Sequence, residues 1–156
     1  MEIKIRKATL QDCKALCEIH VSSIQELTKS HHTKEEIDLW SRGRTPERYE
    51  KHISEKQVII AEDMFLPVGF GTFDLTTGEL IQLYVRPEYA RKGIGKQILD
   101  ELINMARESG LQEMHLLSSL NAESFYAKKG FRSGQKCKHL LNGGKIYCIP
   151  MKKILE

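Results

Sequence analysis

Apolar residues along the chain recur at spacings that switch between two and about 3.6, the alternation expected of strands interleaved with helices. Ile3 and Ile5, followed by Ala8, predict an opening strand. Thr9 then suits the N-cap of a helix over roughly 10–29, with Leu10, Cys13, Cys17, Val21 and Ile24 as its buried stripe. Thr33 and Glu36 form a capping box that predicts a short helix through Trp40, and Thr45-Pro46 opens another. Val58–Ala61, Pro67–Phe73 and Glu79–Val85 read as successive strands, the last two joined by the turn Thr76-Thr77-Gly78. A glycine-containing loop leads into a long helix that ends before Gly110 and carries Ile94, Ile98, Leu102, Met105 and Ala106 along one side. A strand Met114–Leu117, a helix from about Ala122 to Lys129, a strand around Phe131 and a final hairpin strand Ile146–Met151 complete the reading. Hairpins interrupted by helices predict an α+β domain with a mixed sheet.

With 156 residues, 40% hydrophobic and 29% charged, the chain fits one domain over 1–156 that buries enough surface to need neither disulfides nor a structural metal. Lys and Arg total 24 against 21 Asp and Glu, a net charge of +3. That is too little to argue for nucleic acid or a membrane surface as partner. No apolar run approaches the ~20 residues of a membrane span, and the charged start Met1-Glu2-Ile3-Lys4-Ile5-Arg6 lacks the apolar core of a secretion signal. Cys13, Cys17, Cys137 and Cys148 include no CxxC pair or zinc-ligand spacing. Cys13 and Cys17, four apart, read as small core residues, and reduced thiols suit a cytoplasmic address. The pair His31-His32 has no third ligand near it, and adjacent side chains diverge, so no metal is expected.

The chemistry concentrates between Leu83 and Lys96. A strand, a loop fixed by Pro87 and a helix start bring Gly93 and Gly95 into a first helical turn, where each costs about 0.8–1 kcal/mol against Ala. Glycine there lets a ligand lie against the main chain. The N–H groups of that turn lack intrahelical acceptors, and Arg91, Lys92 and Lys96 add charge. The combination reads as an anion cradle for a phosphate or diphosphate. It is not a Walker loop, since Ala90 stands at the first glycine and Gln97 follows Lys96; nor is it a dinucleotide GxGxxG, since position 98 is Ile98.

At these residues the sequence resembles the GCN5-related N-acetyltransferase (GNAT) family, whose signature is Gln/Arg-x-x-Gly-x-Gly/Ala after a strand. Gly93-Ile94-Gly95 matches, and Ala90 departs from the usual Gln or Arg. A second block, Asn121 to Phe131, is similar to the family's other motif, and Thr33–Trp40 with Ser118–Phe131 looks like a bacterial-type subgroup of unassigned substrate. The resemblance implies a splayed sheet that binds acetyl-coenzyme A as co-substrate. Leu83, Tyr84 and Val85 would hold its arm, Arg91, Lys92, Gly93, Ile94, Gly95 and Lys96 its diphosphate, and Asn121 would hydrogen-bond the arm unless it is simply a helix N-cap. It implies transfer of the acetyl group to a primary amine by direct attack. The amine must first lose a proton, for which Glu79, directly or through water, is the acceptor favoured here and His20 a reserve. Tyr126 matches the family's general acid and would protonate the departing thiolate. Trp40, Tyr49 and Phe73 either line the acceptor pocket or pack in the core, and Lys128-Lys129 is a solvated pair or reaches the nucleotide. The alternatives are a non-catalytic acyl-coenzyme A-binding regulatory module and a protein-interaction domain in which the glycines only shape a loop. Residues 24–54, which would choose the acceptor, mix charges without an acidic cluster, and the last hairpin offers an edge for a homodimer.

Overall fold

A computed structural model of the chain describes residues 1–27, 32–141 and 144–156; His31 and the last turn expected of the first helix lie outside them. Strand β1 (Ile3–Lys7) leads through a 3-10 turn (Leu10–Asp12) into helix α1 (Cys13–Leu27). Helix α2 (Lys34–Ser41) follows, then a 3-10 turn (Pro46–Tyr49) running into α3 (Glu50–Glu55). Strands β2 (Gln57–Asp63), β3 (Leu66–Asp74) and β4 (Glu79–Val85) form a meander. After it come α4 (Ile94–Glu108), β5 (Glu113–Ser118), α5 (Glu123–Ala127), β6 (Arg132–Ser133), β7 (Cys137–Leu141) and β8 (Gly144–Ile154). The sheet order is β1-β2-β3-β4-β5-β8-β6, with β7 paired to β8. Among the described residues only β4 and β5 run parallel; the other pairings are antiparallel.

The apolar run of β2 is buried on both faces, as a central strand requires. Ile59 and Ala61 join the core beneath α4, whereas Val58 and Ile60 join a second core with Leu16 and Ile19 of α1. Asp74 closes the β3–β4 turn: its carboxylate accepts from Thr76 N–H at 2.8 Å and from Lys56 Nζ at 2.8 Å. The Lys56 ammonium, followed by that main-chain bond, holds the carboxyl down at about 2.

The stripe expected on α1 is rotated. Leu10 is 62% exposed, while Cys13, Leu16, Ile19, His20, Ser23 and Ile24 are buried and Cys17 and Val21 only half-buried. The cause is the entry turn: Leu10–Asp12 winds at three residues per turn, so a 3.6 period counted from Leu10 starts in the wrong phase. On α4, Leu99 and Ile103 widen the expected stripe, and Met105 is only half-buried. The helix expected over Ala122–Lys129 is shorter, Glu123–Ala127, and its N-cap is Ala122. Asn121 is therefore not that cap; it lies inside the preceding 3-10 turn, Leu120–Ala122.

Two features of the sheet position the site. Register slips between Thr72 and Phe73, which pair with Gln82 and Leu80, leaving Ile81 as an extra residue in β4. A bulge bends its strand and sharpens its twist. Pairing of β4 with β5 is confined to Glu79 with His115 and Leu80 with Leu116, so the strands part at that bulge. Gly69 and Gly71 of β3 lie beneath α4, and a Cβ on Gly71 would stand 2.8 Å from both Ile98 Cγ2 and Leu102 Cδ1. Glycine here lets the helix close on the sheet. Gly71→Val is expected to cost about 1–3 kcal/mol through overpacking, lowering the thermal midpoint by several degrees. Scanning calorimetry checks this.

Candidate active site

The parted strands open a cleft on each side of the seam. One cavity, ≈ 630 Å³, runs from Leu83–Val85 to the start of α4. Its floor is built by a loop in which Arg91 (φ 62°) and Gly93 (φ 80°) take left-handed conformations. Gly93 is the N-cap of α4, and Gln97 N–H donates to its carbonyl at 3.1 Å. The N–H groups of Ile94, Gly95 and Lys96 have no helical acceptor, and alternation of backbone handedness turns such amides inward as an anion-binding nest. A Cβ on Gly93 would meet nothing within 4 Å, whereas one on Gly95 would touch the Phe125 ring at 3.5 Å. Packing thus does not dictate glycine at 93; its left-handed φ and the open space above it do.

Of the residues expected at the cradle, Leu83, Tyr84, Val85, Arg91 and Gly93 through Lys96 border this cavity, with Asn121 and Tyr126 on the opposite wall; Lys92 does not line it. Arg91 and Lys96 are exposed at its rim, and Lys92 is exposed beside them in the chain. Ala90 also borders it, so the loop keeps its main-chain shape without the long side chain usual at that position. Lys128 and Lys129 reach the rim, and Lys129 pairs with Asp100 of α4. Sequence reasoning missed Tyr89 and Phe125. Tyr89 sits under Lys92 Nζ, 5.5 Å from the ring centroid, and donates to Asp63 Oδ2 at 3.2 Å. Neither carries a spacing signal, because each enters the wall through the path of a loop or short helix.

The second cavity, ≈ 340 Å³, lies on the α1–α3 side and includes Glu79, His20, Trp40, Arg44, His52 and Gln82 in its walls. Leu83, Tyr84, Ser119, Ala122 and Tyr126 border both cavities, so the two meet there. Tyr126 is 8% exposed, packed edge-on against Phe125 and Phe131. Burial, with a smaller contribution from Tyr84, pushes its phenol above the ordinary value, so it keeps its proton at neutral pH. Glu79 is half-buried at the closed end of the seam, four residues from Leu83, or roughly 13 Å along the strand.

His20 is 1% exposed, and its ring stacks on Tyr84 at 4.2 Å. Its Nδ1 lies 2.7 Å from Tyr49 Oη and 3.5 Å from Gln82 Nε2. Burial, then the charge of Arg44, holds the imidazole well below its ordinary value, so it is neutral. Tyr49 thus stands behind His20, and Phe73 is fully buried in the α4 core; of the three aromatics weighed as pocket residues, Trp40 reaches the chamber. His32 packs edge-on against Trp40, ring centroids 4.8 Å apart, and faces Glu36.

The four thiols are free. Burial raises Cys13 and Cys17, which removes them as ready nucleophiles. Cys137 and Cys148 face each other across β7–β8 with sulfurs 3.6 Å apart, a pairing hidden in the sequence because β7 itself was not predicted. Among the described residues no helix is long and apolar enough to cross a membrane, and no group of three or more His, Cys, Asp or Glu is placed to hold a metal ion.

Comparison with known proteins agrees with this geometry. Residues 28–155 match the family model described as an acetyltransferase (GNAT) domain. Spermidine N(1)-acetyltransferase of Thermoplasma acidophilum is 28% identical over 149 residues, covering 85% of this chain and 89% of that one. An amino-acid acetyltransferase of Pseudomonas putida is 29% identical over 129 residues, 81% of this chain but 27% of the relative. Among solved structures, a GCN5-related N-acetyltransferase from Rhodopseudomonas palustris superposes with a TM-score of 0.93 at 26% identity, covering 99% and 97% of the two chains. The PaiA N-acetyltransferase of Thermoplasma acidophilum, solved with coenzyme A, gives 0.82 at 26% identity over 99% of each. With the splayed seam, the amide cradle and this match in hand, the chain belongs to the GNAT family and is an acetyl-coenzyme A-dependent N-acetyltransferase.

Proposed function

We propose that the chain transfers the acetyl group to a primary amine of a small molecule or peptide by direct attack, with donor and acceptor bound together. The observation that carries this reading is the meeting of two cavities at Tyr84 and Tyr126, at the mouth of the β4–β5 seam. Beyond Leu80 the β4 edge has no strand partner among the described residues, and an extended arm can add there as a strand would, against the main chain of Leu83, Tyr84 and Val85. Amides from Arg91 to Lys96 would hold the diphosphate, and Asn121 the arm.

Acetyl-coenzyme A in this cleft would supply the thioester carbonyl that the amine nitrogen attacks, with the C–S bond breaking and coenzyme A leaving as the C–N bond forms. Glu79 receives the proton that frees the amine lone pair; its distance from the junction favours water as carrier. Tyr126 donates a hydrogen bond to the sulfur as negative charge gathers on it. Full proton transfer from a phenol raised above its reference of ~10 to a thiolate near ~8.5 runs uphill, so the final thiol proton derives from the acylated nitrogen, with the phenol as relay. The free thiols suit a cytoplasmic site of action, and the outer edge of β7 offers a route to a homodimer.

Tyr126→Phe is expected to lower kcat at least about tenfold while leaving the KM for acetyl-coenzyme A within about twofold, measured by thiol release; an unchanged kcat removes Tyr126 from the chemistry. Gly93→Val places a branched side chain in the cradle at a left-handed φ, and calorimetric titration should show coenzyme A affinity falling at least about tenfold. Glu79→Gln should lower kcat/KM most at neutral pH. Because half of an alkyl amine is already neutral at its own pKa of ~10, the deficit should shrink as pH rises toward that value.

A further inference from the structure

We infer that the acceptor chamber is built for an amine that also carries a carboxylate, which Arg44 and His20 bind; the inference rests on the acetyltransfer reading above. Arg44 reaches the chamber from the segment between α2 and α3, half-buried, with its Nε donating to the Trp40 carbonyl at 3.1 Å. That bond fixes the stem and leaves the two terminal nitrogens of the guanidinium for a ligand. Among the described residues no carboxylate stands within ion-pair distance of it. Its charge is felt at His20, Tyr49, His52 and Tyr84, around the whole chamber. A planar guanidinium matches a carboxylate as a two-pronged donor.

An independent observation points the same way. His20 Nε2 is buried and has no partner among the described residues, and His52 Nδ1 is in the same state. Thr72 Oγ1 donates to Gln82 Oε1 at 3.0 Å, which leaves the Gln82 amide nitrogen as the donor facing His20 Nδ1. Nδ1 therefore accepts. In a neutral ring the hydrogen then sits on Nε2, an unpaired donor in the chamber wall. A buried donor without an acceptor is costly, and a carboxylate oxygen would satisfy it.

The balance of charge argues against a polycation. The walls hold Arg44 as their guanidinium and Glu79 as their carboxylate. A second ammonium on a polyamine would meet the guanidinium, whereas an amino acid would offer its carboxylate to Arg44 and its ammonium to Glu79.

The test compares matched acceptors on the purified full chain with acetyl-coenzyme A: α- and ω-amino acids, the corresponding amides and diamines, and spermidine. The expected result is a kcat/KM for carboxylate-bearing amines at least about tenfold above that of their amides or diamines. Arg44→Gln should raise the acceptor KM at least about tenfold and erase that preference, and Arg44→Lys should restore it in part, with the KM for acetyl-coenzyme A within about twofold in both. Equal use of acid and amide, a preference for diamines or spermidine, or a carboxylate preference that survives Arg44→Gln overturns the inference. So does a protein that binds coenzyme A yet acetylates no carboxylate-bearing amine. Failure to bind coenzyme A in calorimetry overturns the acetyltransfer reading itself.

Discussion

The molecule depends on two parallel strands that pair at one end and part at the other. A sheet edge with unmet main-chain donors and acceptors is normally a hazard that proteins cover. Here the extra residue at Ile81 turns β4 away from β5 just after Leu80 pairs with Leu116, and the uncovered edge is the surface proposed to take the cofactor arm. The cleft on the α4 side, the chamber on the α1 side and the shared wall at Tyr84 and Tyr126 all follow from that separation.

The proposed donor and acceptor halves rest on different physics. The donor side is held by main-chain geometry: a strand edge, a left-handed Gly93 and the amide-rich start of α4. The acceptor side is built from side chains carried by α1 and the α2–α3 segment, namely His20, Trp40, Arg44 and His52. Substitution in those segments would change which amine fits while leaving the grip on coenzyme A intact.

The same division decided what the sequence made legible. The limits of β4, Glu79–Val85, were predicted as observed, because Gly78 and Pro87 punctuate an apolar run. The capping box at Thr33 and Glu36 formed as expected. The special turn at the start of α4 was legible because glycines inside an otherwise strong helix pattern need a reason, and Gly93 is its left-handed N-cap. Arg44 and Tyr89 were not, since a residue in a loop has no period to give its direction away. The α1 stripe held at Cys13 and Ile24 but not at Leu10, Cys17 and Val21, because the 3-10 turn at Leu10–Asp12 shifts the phase of a count begun at Leu10. The Cys137–Cys148 pair depends on a hairpin register that distant residues set.

The two missing side chains at Gly69 and Gly71 have a consequence beyond packing. Ile98 rests almost on the β3 backbone, one turn from the residues that begin α4, so the height of that helix above the sheet also sets the height of the amides at its tip. A methyl group added beneath the helix would act as a shim, tilting the phosphate cradle away from the seam without touching it. Fit in the hydrophobic interior and reach toward the thioester are thus one mechanical setting, and changes to the first should be felt in the second.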